Sequence, residues 1–151
     1  MDQLAYVIGQ EDATLRLFIA ALEEEQGALK VGNTEALEKI VETKNRHIEA
    51  LARLGHQRNH FLKSGRFNED RDGLQQWAKS SGQTELIANF LHLADEAKEL
   101  NRLNGQLIAM WMNSTQSALA ALTPHRAPGQ GLYGPKGQTK FSTGYRLIDT
   151  V

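Results

Sequence analysis

His56 and His60 stand four residues apart in a stretch with helical periodicity. That spacing sets two imidazoles on one helix face, where they can share a metal ion. A pair needs a third ligand, and the chain of 151 residues has no cysteine to supply a thiolate. The Glu-x-x-His pair of di-metal carboxylate bundles is missing as well. Both histidines therefore read as solvated face residues, and no metal is expected. A second stretch, Gly129 to Lys136, approaches Gly-x-x-x-x-Gly-Lys-Ser/Thr, the loop whose amides cradle phosphates. Pro135 separates glycine from lysine, Gly137 stands where the hydroxyl belongs, and neither a strand nor a helix frames the loop. The motif fails. With no paired nucleophile and base elsewhere, the chain reads as non-enzymatic and without a cofactor.

Composition narrows the partners. The chain is 40% apolar and 23% charged, which suits a soluble domain with one core. From Pro124 onward Arg126, Lys136, Lys140 and Arg146 face one acid, Asp149, so this segment is at +3 and the rest at −4 of a net −1. No contiguous basic face appears before it, so nucleic acid is not an expected partner. The charge-free run Leu103 to Pro124 holds Asn104, Gln106, Asn113, Ser114, Thr115, Gln116 and Ser117, too polar to span a bilayer. Asp2, Glu11 and Asp12 break any signal-peptide pattern, and a cysteine-free chain fits a reducing compartment. A cytoplasmic protein without membrane insertion is expected.

Three long helical patterns must position whatever the chain presents. In the first, Leu4, Ile8, Glu11, Leu15, Phe18, Leu22, Glu25 and Leu29 alternate in steps of four and three, a heptad seam with two polar interruptions. Gly32 suits a left-handed C-terminal cap, and Asn33 or Thr34 opens the next helix. That helix, over 34–63, repeats Ile40, His47, Leu54 and Phe61 every seven residues, flanked by Leu37, Val41, Ile48, Leu51 and Leu62; Lys63-Ser64-Gly65 stops it. A short helix is predicted around Leu74, Trp77 and Ala78, with Trp77 folded back as a cap on the core. The last helix opens at Gln83-Thr84 and runs to about Leu122, with a seam of Ile87, Phe90, Ala94, Ala97, Asn101, Asn104, Ile108, Trp111, Thr115, Ala118 and Leu122. Pro124 ends it.

The expected fold is all-α: an elongated antiparallel bundle of three long helices plus one short helix over 1–123, followed by a flexible Gly/Pro-containing tail over 124–151. Asn101 and Asn104 fall in the last seam, where buried amides fix register; hydrogen bonding to a partner is the other reading. From Leu103 the last helix carries no charge, although Met110, Met112 and Leu119 lie outside its main seam. A helix packed on one face normally shows charge on the other. Either the other helices surround this segment or a partner covers it, and methionines suit adaptable contact surfaces.

Two stretches resemble known families. His60-Phe61-Leu62-Lys63-Ser64-Gly65 resembles the histidine phosphotransfer pattern His-x-Leu-Lys-Gly-Ser of helical relay domains, with serine and glycine reversed. This is the alternative reading, in which His60 accepts a phosphoryl group. The ordered set Asn101-x-x-Asn104-Gly105-x-Leu107-Ile108, Ala118-Leu119-x-x-Leu122-x-Pro124-His125 and Leu132-Tyr133-Gly134-x-x-Gly137-x-Thr139 resembles FlgN-type flagellar export chaperones. The resemblance implies a cytosolic chaperone of type III export that binds the hook-associated proteins FlgK and FlgL. Such a protein keeps them from premature assembly or degradation and delivers them to the export gate protein FlhA, with the export ATPase complex a further contact. It also implies that the end of the last helix takes a substrate helix, here on Leu107, Met110, Trp111, Met112, Leu119 and Leu122, and that Tyr133 engages the gate.

Overall fold

Asp2 opens the first helix by accepting the Leu4 N–H at 3.0 Å on its carboxylate, which satisfies a donor the helix start would otherwise leave orphaned. This helix, α1 (Gln3–Val31), ends at Gly32, whose φ of 68° is the left-handed conformation expected there. Asn33 then caps α2 (Thr34–Ser64) through the Ala36 N–H at 3.1 Å, so a two-residue link turns the chain back on itself. The stop falls at Ser64 as the sequence indicates, but the left-handed residue is Arg66 (φ 63°), not Gly65. Asp70 caps α3 (Arg71–Ser81), Gly82 closes it, and α4 (Thr84–Leu122) completes the fold. The computed structural model describes residues 2–122, and the elements expected beyond them, the tail and Tyr133 included, lie outside.

The long helices run up, down and up, and α1 lies against both α2 and α4. Contact with two neighbours explains why α1 buries a broad arc. All eight seam positions read from its sequence are buried, together with Val7, Ile19, Ala21 and Ala28. Trp77, Leu74 and Ala78 on α3 are buried in the same apolar cluster as Leu4 and Ile87, and α3 lies against α4 and α2, so the short helix closes the lower end of the bundle. An Arg71–Asp95 fork at 3.1 and 3.0 Å ties α3 to α4 at the surface, and it holds the Asp95 carboxyl below its ordinary range.

The line that α2 turns inward differs from the expected one. It is Leu37, Val41, Lys44, Ile48, Leu51, Gly55, Arg58 and Leu62, again in steps of four and three; Ile40 is buried beside it, while His47, Leu54 and Phe61 sit on its half-buried flank. Three of those inward positions are not large apolar residues, which disguised the seam. The physical reason is on α1. Arg58 donates to Glu11 at 2.6 Å and Lys44 donates to Glu25 at 2.7 Å, all four side chains being buried. Residue i of α1 faces residue 69−i of α2 in both pairs, so two glutamates and two cations, each two heptads apart, meet in matched antiparallel register.

The Glu25–Lys44 pair divides the interior, while Glu11–Arg58 lies within the larger apolar cluster. The larger apolar cluster runs from Leu4 and Ile87 up to Leu22 and Ala97, with the Arg58 guanidinium 5.7 Å from the Phe90 ring centre. A smaller cluster of Ala28, Leu29, Leu37, Ile40, Val41 and Ile108 lies above. Between them sits a polar layer. Asn104 is fully enclosed and donates from Nδ2 to the Leu22 carbonyl at 2.8 Å and to Glu25 at 3.0 Å. Asn101, also expected in the seam, is half-buried. Asn104 therefore acts within the fold, as the register reading holds.

Candidate functional site

The polar layer also shows where α4 leaves its neighbours. Asn104 stands level with Leu22–Glu25, and α1 and α4 rise side by side. Since α1 ends at Val31, α4 passes the top of the α1–α2 hairpin at about residue 111. At 1.5 Å per residue, the remaining stretch to Leu122 projects ~15–18 Å beyond it. Burial follows this geometry. Ile108 is the last buried residue of α4, Met112 the last half-buried one, and every position over 113–122 is exposed.

The projecting segment is helical although no flanking helix among the described residues supports it. The sequence explains why in part: Ala109, Met110, Met112, Gln116, Ala118, Leu119, Ala120, Ala121 and Leu122 are good helix formers, and Thr115 turns its hydroxyl back to the Trp111 carbonyl at 2.9 Å. Its surface is unusual because it holds no Asp, Glu, Lys or Arg. Met110 is 68% exposed and Leu122 78% exposed, with Trp111 and Leu119 partly exposed between them. Burying such side chains gains about 25 cal/mol per Å² of apolar surface, so this helix end is an uncharged platform whose exposed apolar side chains would be stabilised by a cover.

The six residues anticipated for a substrate helix separate into two groups. Leu107 and Met112 are half-buried and pack against the upper apolar cluster. Met110, Trp111, Leu119 and Leu122 lie on the exposed part of α4. The structure places all six on one continuous helix, spanning the level where the bundle ends. Tyr133 lies outside the described residues. Of the two explanations for the missing charge, packing within the bundle accounts for the run up to Met112, but not for residues 113–122, since neither α1 nor α2 extends this far.

The histidine reading finds less around it. His60 is exposed on α2, edge-on to Phe61 with ring centres 5.8 Å apart. Ser64 donates its hydroxyl to the His60 carbonyl at 2.8 Å, so it is turned back on its own helix. Among the described residues no group of three histidines or carboxylates is placed to hold a metal ion. No helix among them is long and apolar enough to cross a membrane.

One perturbed acid belongs to the core. Burial pushes the Glu11 carboxyl up to about 7, and the Arg58 guanidinium pulls the other way without cancelling it. Its second oxygen is buried with no hydrogen-bond partner. Sequence reading placed Glu11 and Glu25 in the seam and missed their cations, Arg58 and Lys44. The matched spacing of the two pairs was the signal.

Comparison with known proteins agrees on one family. The profile of the FlgN protein family matches residues 1–140. The flagella synthesis protein FlgN of Salmonella typhimurium is 31% identical over 144 residues, covering 94% of each chain. The protein of the same name from Escherichia coli K12 is 29% identical over 141 residues, covering 92% of this chain and 91% of that one. No solved structure matches the chain significantly.

Proposed function

The chain belongs to the FlgN family, and from that membership we propose that this flagella synthesis protein is a cytoplasmic export chaperone for the hook-associated proteins FlgK and FlgL. The observation that carries the reading is the projecting, charge-free end of α4 with Met110, Trp111, Leu119 and Leu122 on its surface. An amphipathic helix of a substrate lays its apolar face along such a surface and is read through side chains one turn apart. Covering that face hides the part of the substrate that would otherwise assemble. No bond is made or broken. Tyr133 then supplies the contact with FlhA after the substrate is loaded, an aromatic anchor of the kind that dominates small interfaces.

Trp111 makes the proposal measurable. The chain has two tryptophans, and Trp77 is buried in the bundle while Trp111 is partly exposed on the platform. Titration with C-terminal segments of FlgK or FlgL is expected to shift tryptophan emission to the blue. The shift should vanish in Trp111→Phe, and Met110→Glu should weaken binding by ten-fold or more. Unchanged emission together with unchanged co-purification of the Met110→Glu protein would place the substrate elsewhere. Tyr133→Ala is expected to keep substrate binding and weaken capture by the cytosolic domain of FlhA.

A further inference from the structure

A second surface lies on α1, apart from the projecting end of α4. The outward face of α1 has its own heptad line, Tyr6, Gln10, Ala13, Leu17, Ala20, Glu24, Gly27 and Val31, in steps of four and three. All eight are exposed, and the large ones strongly so: Tyr6 55%, Leu17 56% and Val31 78%. Single exposed apolar residues are ordinary. A line of them over the whole helix, with one amide, one acid and otherwise small residues between, is the pattern of a helix seam. Gly27 on the line and Gly9 beside it would meet nothing within 4 Å if given a Cβ, so the monomer does not need them. Each lowers helix stability by ~1 kcal/mol against alanine.

Charge identifies the occupant. The residues flanking this line on one side, each just before Gln10, Leu17, Glu24 and Val31, are Gly9, Arg16, Glu23 and Lys30. Consider a second α1 laid antiparallel so that residue i faces 37−i. Tyr6 then meets Val31, Gln10 meets Gly27, Leu17 meets Ala20, and Arg16 comes beside Glu23 of the other copy, twice by symmetry. Sliding the copies by one heptad either way sets Arg16 beside Lys30 or beside a second Arg16, both repulsive. Parallel pairing sets Glu24 against Glu24. Of these four arrangements, one pairs opposite charges, and it also overlaps the full helix. Arg16 already donates from Nε to Asp12 at 2.9 Å, which leaves its terminal nitrogens as donors for the second carboxylate. We infer that the outward face of α1 is a self-association surface, on which two copies of this chain pair antiparallel about Leu17 and Ala20.

The inference is independent of the chaperone reading, because the platform on α4 is another surface. Sedimentation of the full chain over a range of concentrations tests it. A monomer–dimer equilibrium is expected, shifted to monomer by 100-fold or more in Leu17→Glu, whose side chain is exposed and outside the core. Arg16→Glu should weaken the dimer by about ten-fold, and adding Glu23→Arg should restore it. Orientation is read by cross-linking, since the chain has no cysteine of its own. A mixture of Tyr6→Cys and Val31→Cys proteins should form a disulfide-linked heterodimer on oxidation, whereas Tyr6→Cys alone should not, its two thiols lying ~37 Å apart. A chain that stays monomeric throughout, a dimer untouched by Leu17→Glu, or efficient self-linking of Tyr6→Cys would each overturn the proposal.

Discussion

Replacing Lys44 by methionine removes the ammonium from a fully enclosed carboxylate while keeping side-chain length and most of the packing. Glu25 has no exposed surface, and the Lys44 nitrogen lies 2.7 Å from its Oε2. With an effective dielectric of about 20, two unit charges at that distance attract by ~6 kcal/mol. The net loss is smaller because the lysine no longer has to be dehydrated. Removing one partner of a buried pair costs about 3–5 kcal/mol, and we expect Lys44→Met to fall in that range. This is a large part of the ~5–15 kcal/mol that holds a domain of this size folded. Urea unfolding followed by helical circular dichroism at neutral pH measures it, provided the slope against denaturant is unchanged. The triple replacement Glu25→Leu, Lys44→Met and Asn104→Leu should recover most of the loss, because it leaves no buried charge without its partner. A cost below ~1 kcal/mol for Lys44→Met would refute the reasoning, as would a triple variant less stable than the single one.

Glu11 gives a pH dependence with a definite sign. Its carboxyl is raised from 4.5 to about 7 in the fold, so the folded state holds a proton that the unfolded chain releases. Its stabilising contribution is thus full below about pH 4.5 and is lost as pH rises through about 7, by roughly 3 kcal/mol. Urea midpoints at pH 5 and pH 7.5 should show that decline, and Glu11→Gln should flatten it. Gly73→Ala should destabilise by ~2 kcal/mol or more in thermal melts, since a Cβ there would lie 1.9 Å from the Asn68 carbonyl oxygen. A chain ending at Leu122 should still unfold cooperatively, because both apolar clusters lie between Leu4 and Ile108; a broad, non-cooperative melt would show that later residues belong to the core.

How far the sequence spoke for itself varied by helix. On α1 two glutamates interrupt an otherwise apolar line, so the period survives and every seam residue is where it was expected. On α2 the inward line gives Lys44, Gly55 and Arg58 to the core, and a hydrophobic pattern cannot see those positions. The flanking Ile40, His47, Leu54 and Phe61 looked more regular and drew the reading one position aside. The information was nonetheless present as charge: two buried acids on one helix require two cations at the same spacing on its partner. The end of α4 was legible as composition, a helix without charge, but not as geometry. Its exposure depends on where α1 stops relative to Asn104, which is a tertiary distance.

The amide of Asn104 has a consequence for reach. A slide of α4 by one heptad would bring Ala97 or Trp111 beside Glu25 and the Leu22 carbonyl in place of Asn104. Alanine offers no side-chain donor, and an indole would have to enter a space now filled by an amide. The polar layer thus works as a gauge: it fixes how much helix stands clear of the bundle, against slips of ~10 Å in either direction. The end of α4 is therefore an arm of set length, about three helical turns, measured off from a hydrogen bond deep inside the protein.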